Sequence, residues 1–338
     1  MECRQAMVVT LKEVAARAGV SRSAVSRTFT DGASVSSKTR AKVERAAEDL
    51  GYAPNALASS LTTGRTKLIG LIANNFHNPL ILEVFDLFTQ GLQDRGLRPL
   101  LVNLSEATDP KKSLRMLRQY SVDGVIVASS TLPSSFAEAF RSAGIPIVHA
   151  FGRHTATPHV HVVGIDNIAC GRMAAAALIA RGHKRVGFLG GPRSATSTQD
   201  RATGFAAALA AHPQISVSTS YAEGYTFDAG RTEMTRLLAQ GPAEAYFRGD
   251  DLLAIGALSA IEDAGLSVPG DIGLIGLNDM EMSRWQNIGL TTIRQPVAQI
   301  ITCAIELVVA TIETPDRPPE IRLFPCTLVE RRTLRAAP

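Results

Sequence analysis

Apolar positions along this 338-residue chain change their period near residue 67. Before it they recur at helical spacing in short bursts. Leu11, Val14, Ala15 and Ala18 fall at i, i+3, i+4 and i+7, one face of a helix. Val25 and Phe29 mark the inner stripe of a second helix, and Val43, Ala46, Ala47 and Leu50 that of a third. After Lys67, short apolar runs alternate with amphipathic stretches. The run Leu68-Ile69-Gly70-Leu71-Ile72 has the near-continuous apolar character of a buried parallel strand. The same reading predicts further strands at 99–102, 124–128, 145–149, 185–189, 245–247 and 273–276. It predicts helices at 79–93, 110–120, 134–143, 168–180, 201–210, 229–238 and 252–264. Repeated strand–helix units imply parallel sheets with right-handed crossovers. Two such series predict two α/β lobes.

Local punctuation sharpens the first 66 residues. Thr10-Leu11-Lys12-Glu13 is a capping box, in which each end residue can satisfy the other's backbone amide. Gly19 is placed to end the first helix in the left-handed region, and Ser21 to cap a second starting at Arg22. Asp31-Gly32 breaks the chain, Ser36 or Ser37 caps the third helix, and Gly51 ends it. Tyr52-Ala53-Pro54-Asn55 leads into a short helical stretch, Ala56 to Leu61, closed by Thr62-Thr63-Gly64. Two short helices joined by a glycine turn suit an ordinary αα corner or a helix-turn-helix. Arg22, Ser23, Ser26 and Arg27 crowd the outer side of the second helix, which favours DNA. Charge agrees. Residues 1–66 hold 10 Lys+Arg against 6 Asp+Glu, and the remaining residues balance at 25 and 25. The whole excess of +4 therefore sits in the first fifth of the chain, as expected of a basic nucleic-acid module on a neutral body.

The strings TLKEVAARAGVSRSAVSRTF and VSSKTRAKVERAAEDLGYAPNALASSL resemble the headpiece of the lactose/galactose repressor family nearly position for position. The likeness runs on to the C-terminus. It implies an all-α headpiece over 1–53, a hinge over 54–66 and a two-lobed body over 67–338. Each lobe would be similar to half of a periplasmic sugar-binding protein. One lobe would take about 67–163 and 296–323, the other about 164–293 and 324–338. The resemblance also implies roles. Arg22 and Ser23 would read base edges from the start of the recognition helix, where arginine to guanine is the commonest specific pair. Thr10, Ser21, Ser26, Arg27 and Asn55 would hold phosphates or neighbouring bases and set register. Leu61 would wedge into the minor groove at the centre of the operator.

Ligands of open α/β sheets bind beyond the strands' carboxyl ends. Among the loops there, the resemblance selects Leu80, Ile81, Phe151, Ser197, Arg201, Tyr225, Asp250, Asn278 and Gln295 as effector-binding. Arg201 matches the family's effector-clamping arginine, and Tyr225 an aromatic that stacks on the ligand ring. Asp250 stands where many members carry Asn, and Asn278 where many carry Asp. Phe151 replaces an acidic residue of several members, so their ligands do not transfer directly.

Other classes fit less well. The sequence has no GxxxxGK[ST], HExxH or GxSxG, and no GxGxxG after a strand. Asp250-Asp251 is the most enzyme-like feature, but a pair opening a helix suits capping and the helix dipole. Cys3, Cys170, Cys303 and Cys326 form no CxxC pair, which argues against a zinc site or a disulfide framework. Met7-Val8-Val9 is too short for a secretory apolar core, and no run reaches the ~18 residues of a membrane span. The expectation is a cytoplasmic homodimer that binds a palindromic double-stranded operator, with no metal, cofactor or membrane partner. Its DNA affinity would be set by a sugar or sugar acid. The alternatives are a soluble sugar-binding protein without a regulatory role and a ribose- or nucleoside-processing enzyme. The tail Glu330 to Pro338 carries no heptads, which favours a dimer over a tetramer.

Overall fold

A computed structural model describes residues 9–30, 32–55, 60–61, 63–104 and 110–337. The chain divides into two compact units, 1–67 and 68–338.

The first unit holds α1 (Leu11–Ala18), α2 (Arg22–Thr28) and α3 (Ser37–Leu50). The capping box at Thr10 and Glu13 is formed, and Ser21 and Ser36 accept the amides of Ala24 and Thr39. Gly19 and Gly51 end α1 and α3 at φ 64° and 65°, a region that costs a side chain about 1–2 kcal/mol. Val14, Ala15, Val25, Val43, Ala46 and Ala47 form the core, flanked by Phe29 and Tyr52 with ring centroids 5.9 Å apart. The Arg40 guanidinium donates to the carbonyl of Thr28 (2.8 Å), tying α3 to the end of α2. The helix expected over 56–61 lies mostly outside the described residues; Ser60, Leu61 and Thr63 are helical.

In the second unit the chain runs β1 (Leu68–Ala73), α4 (Pro79–Gln93), β2 (Arg98–Asn103), α5 (Pro110–Gln119), β3 (Gly124–Ala128), α6 (Ser134–Ser142), β4 (Ile147–Ala150) and β5 (His161–Gly164). A second series follows: α7 (Asn167–Ala180), β6 (Arg185–Gly190), α8 (Thr196–Leu209), β7 (Ser216–Tyr221), α9 (Phe227–Ala239), β8 (Ala245–Arg248), α10 (Asp251–Asp263) and β9 (Gly273–Asn278). A 3-10 turn (Glu281–Arg284), β10 (Thr292–Arg294), α11 (Val297–Glu313), β11 (Ile321–Leu323) and β12 (Thr327–Val329) complete it.

Two six-stranded sheets result, in the orders β11-β5-β4-β3-β1-β2 and β12-β10-β9-β8-β6-β7. The chain passes from the first sheet to the second after Gly164. It returns after Arg294, because α11 packs on β3, β4, β5 and α4, and leaves again between Leu323 and Thr327. All recorded pairings are parallel except β10 with β12, so the expectation of purely parallel sheets needs that amendment. The unpredicted elements share physical reasons. β5, β10, β11 and β12 are only three or four residues long. β7 (SVSTSY) is an edge strand with four exposed residues and no apolar run. α11 buries one face against the first lobe and exposes Gln299, Thr302, Glu306 and Glu313 at i, i+3, i+7 and i+14, a helical stripe that the predicted helices leave out. α8 begins at Thr196, five residues before the expected start, in a polar stretch with no apolar periodicity.

Candidate functional site

The headpiece presents a polar face on α2. Arg22, Ser23, Ser26 and Arg27 are exposed, as are Thr10, Ser21 and Asn55. The Ser21 and Ser23 hydroxyls lie 2.9 Å apart, and Ser21 also caps the helix, so those two are pre-positioned. The Thr10 hydroxyl donates to Glu13 (2.9 Å). Arg22 stands exposed at the first position of α2. Leu61 is 90% exposed, a large apolar side chain left open to solvent among the described residues.

The second unit contains a cavity of about 640 Å³ of atom-free space, partly open to solvent, between the carboxyl ends of the two sheets. Each sheet contributes loops from those ends, as the topology of open α/β sheets requires. Leu80, Ile81, Phe151, Arg201, Tyr225, Asp250, Asn278 and Gln295 line it. Ser197 does not. It is buried behind the wall, where its hydroxyl meets the Tyr225 hydroxyl at 3.1 Å, with Thr198 at 2.6 Å. Its place in the expected set needs correcting: at the first turn of α8 it supports Tyr225 rather than facing the cavity.

Asp250 is the centre of the polar wall. It caps α10, accepting from the Leu252 amide (2.8 Å) through Oδ1. Its Oδ2 accepts from Asn278 Nδ2 (2.9 Å) and, across the cleft, from Asn78 Nδ2 (3.1 Å). Burial, then the neighbouring Asp251 carboxylate, push its carboxyl up to about 7 against those donors. Asn278 Oδ1 accepts from Gln295 Nε2 (2.7 Å), which fixes the amide's orientation. Arg201 is held in place by Asn167 Oδ1 (2.8 Å) and the Gly249 carbonyl (2.5 Å).

The carboxylate pair noted in the sequence is split by function. Asp251 faces away from the cavity and accepts from the Met280 amide (2.8 Å), the Ser283 hydroxyl (2.8 Å) and the Thr292 hydroxyl (2.6 Å). It anchors the segment after β9 and is not poised as an acid or base.

Asn74, Asn75, Ser129, Ser130, Thr131 and Asn167 also line the cavity and were not singled out from sequence. Asn74 Nδ2 donates to Thr131 Oγ1 (2.8 Å) and the Ser129 hydroxyl donates to Asn74 Oδ1 (2.9 Å), a polar wall on the first lobe. Their signal was available: Asn74 follows β1 and Ser129 follows β3, and polar residues just past apolar strands are the positions the strand-end rule names. No group of His, Cys, Asp and Glu among the described residues could hold a metal ion, and none of the described helices is long and apolar enough to cross a membrane.

A helix-turn-helix headpiece followed by a two-lobed body with a polar interlobe cavity defines a DNA-binding transcription regulator that responds to a small molecule. Known proteins agree. Residues 10–55 match the profile of bacterial regulatory proteins, lacI family, and residues 175–334 that of the periplasmic binding protein-like domain. The chain is 32% identical to the HTH-type transcriptional repressor PurR of Edwardsiella ictaluri over 98% of both chains. It is 32% identical to the HTH-type transcriptional regulator CelR of Thermobifida fusca over 85% of this chain and 87% of that one. Among solved structures, a lac repressor dimer bound to operator and the anti-inducer ONPF superposes with a TM-score of 0.86 at 25% identity, covering 97% of this chain and 99% of that one. A CelR–cellobiose complex superposes at 0.72 with 28% identity, covering 96% and 99%. The chain belongs to the lacI family of bacterial regulatory proteins, and its function is transcription regulation rather than catalysis.

Proposed function

We propose that two copies of the chain repress transcription from a palindromic operator in the cytoplasm, and that a sugar or sugar acid in the interlobe cavity sets operator affinity, with no further cofactor. The lining of the cavity carries this reading. Asn78 and Asn278 donate to the acceptor Asp250, and Arg201 and Gln295 line the same wall, with the Ser129 and Thr131 hydroxyls on the first lobe. Leu80, Ile81, Phe151 and Tyr225 supply apolar surface beside them. Many small donors and acceptors next to an apolar wall match a ring bearing hydroxyls on its edge and C–H groups on its faces. The guanidinium of Arg201 would grip hydroxyls or a carboxylate as a planar fork. The CelR–cellobiose complex shows that a related protein of this fold takes a disaccharide. Recognition of the operator would fall to Arg22 and Ser23, with Thr10, Ser21, Ser26, Arg27 and Asn55 on phosphates or neighbouring bases and Leu61 as the wedge.

Thermal shift with cellobiose, D-glucose, D-gluconate and adenosine tests the ligand class. A ligand at 100 times its dissociation constant adds about 2.7 kcal/mol to stability. A carbohydrate should shift the full-length chain, and Arg201→Ala should lose the shift; a response to adenosine alone would redirect the assignment. On DNA, Arg22→Ala should cost about 1–3 kcal/mol on the operator and much less on random sequence. Equal losses on both would make Arg22 a phosphate contact.

A further inference from the structure

The first turn of α8 cannot satisfy its own backbone. Its N-cap is Ala195, which has no side-chain acceptor, so the leading amides need partners from elsewhere. One such partner comes from the opposite lobe. The Ser197 amide donates to the carbonyl of Ser130 (3.2 Å), and the Thr196 hydroxyl donates to the same carbonyl (3.0 Å). Ser130 follows β3 in the first lobe, whereas α8 belongs to the second.

Beside this contact lies a stronger one. Arg153, in the loop after β4 of the first lobe, donates from Nε to Asp200 Oδ2 (2.9 Å) and from Nη2 to Asp200 Oδ1 (2.7 Å). The same Nη2 also donates to the Thr196 carbonyl (2.9 Å) and to Gln199 Oε1 (3.0 Å). A bidentate guanidinium–carboxylate pair has both the charge and the planarity to fix orientation. The pair is half-buried, with side-chain exposures of 31% and 18%, so solvent screens it less than an open surface pair.

The loop that aims Arg153 is itself built for the purpose. Phe151 adopts φ 63°, and its amide donates to the Val163 carbonyl (2.7 Å). Gly152 lies against the buried His149 ring, where a Cβ would come within 2.5 Å. His149 in turn bonds the Ser129 carbonyl through Nε2 (3.0 Å), next to the carbonyl that caps α8. One buried side chain thus braces both halves of the first lobe's grip on α8.

We infer that Arg153 is a positioning residue that latches the start of α8 onto the first lobe and so sets how far the effector-free cleft is closed. Through α8 it holds Ser197 and Thr198, whose hydroxyls fix Tyr225 on the cavity wall. The latch regulates the cavity assigned above and rests on that assignment for its biological meaning. Its existence does not depend on any ligand.

Hydrogen exchange of the full chain without ligand tests it, because the Ser197 amide is protected only while the lobes touch. Arg153→Ala should speed Ser197 exchange by about tenfold, the loss expected for one charge-assisted pair, and Asp200→Ala by less, because Arg153 keeps its bonds to the Thr196 carbonyl and Gln199. The two changes together should add nothing further, and amides of β6 and β8 should keep their protection. Arg153→Lys keeps the charge but not the fork and should fall between. The exchanged pair, Arg153→Asp with Asp200→Arg, should recover protection. Unchanged Ser197 exchange in Arg153→Ala, or additive effects of the two alanines, would overturn the latch. Neither result would touch the assignment of the cavity, which stands on ligand binding.

Discussion

The Asp250–Asn278 pair can be interrogated by exchanging its members. Asp250→Asn puts an amide where a carboxylate accepts three N–H groups. Oδ1 can still take the Leu252 amide, but the new Nδ2 then faces the Nδ2 groups of Asn278 and Asn78. Neither can turn to help. Asn278 Oδ1 is held by Gln295 and Asn78 Oδ1 by the Leu80 amide (3.0 Å). Two stranded buried donors cost about 1–3 kcal/mol each. Removing a carboxylate that burial already disfavours offsets part of this, so a net loss of about 1–3 kcal/mol is expected. Asn278→Asp sets a second carboxylate 2.9 Å from the first in a buried site. One of the two must then take a proton, a shift worth about 2–4 kcal/mol. The double exchange restores complementarity. The amide now at position 250 accepts from Leu252 and donates to the carboxylate now at position 278, which still accepts from Gln295. Only the cross-cleft bond from Asn78 is lost. The cycle should therefore show a favourable coupling of about 2–3 kcal/mol. Urea denaturation at pH 7 can follow it through Trp285, the single tryptophan, which lies in the second lobe. Additive single effects would show that the two side chains do not share the bond described.

Two further outcomes concern buried basic side chains. Arg248 is fully buried; its Nη2 contacts Met234 Sδ (2.6 Å), its guanidinium lies 4.4 Å from the Tyr246 ring centre, and Nε and Nη1 have no hydrogen-bond partner among the described residues. Burial pulls its pKa down to about 9, so Arg248→Met should stabilise the protein by about 1–4 kcal/mol; an unchanged or lower denaturation midpoint would contradict that. Burial likewise pulls His149 down to about 4 despite its bond to Ser129. The unfolded chain then binds more protons between pH 6.5 and 4, so stability falls by about 3 kcal/mol as pH drops through that window. His149→Gln should flatten this part of the stability–pH curve, and an unaltered slope would place the titration elsewhere.

How far the sequence discloses each part follows from how local its causes are. The three headpiece helices were legible because their signals span only a few residues: the Thr10–Glu13 box, the Gly19 and Gly51 stops, and an apolar stripe on each helix. Central strands were legible because burial on both faces writes an apolar run, as in β1, β3 and β9. Edge strand β7 was not, because it is too polar to show a run; α11 did carry a helical stripe in Gln299, Thr302, Glu306 and Glu313, outweighed by its otherwise apolar sequence. The cavity was legible one wall at a time. Asp250, Asn278 and Arg201 could be named from strand ends and resemblance, but the Asn78–Asp250 bond joins positions 172 apart and exists only because the lobes meet. The same holds for Arg153 and Asp200, 47 positions apart, each set in a polar stretch with no pattern of its own. Local sequence therefore specifies the two lobes, whereas their closure depends on a few polar pairs that local patterning does not mark. Changing such a pair removes polar contacts and leaves the apolar clusters' membership untouched, although a member that also caps a helix, as Asp250 does, carries a stability cost of its own. That separation allows the response to an effector to be tuned by one or two substitutions while fold and DNA reading stay fixed.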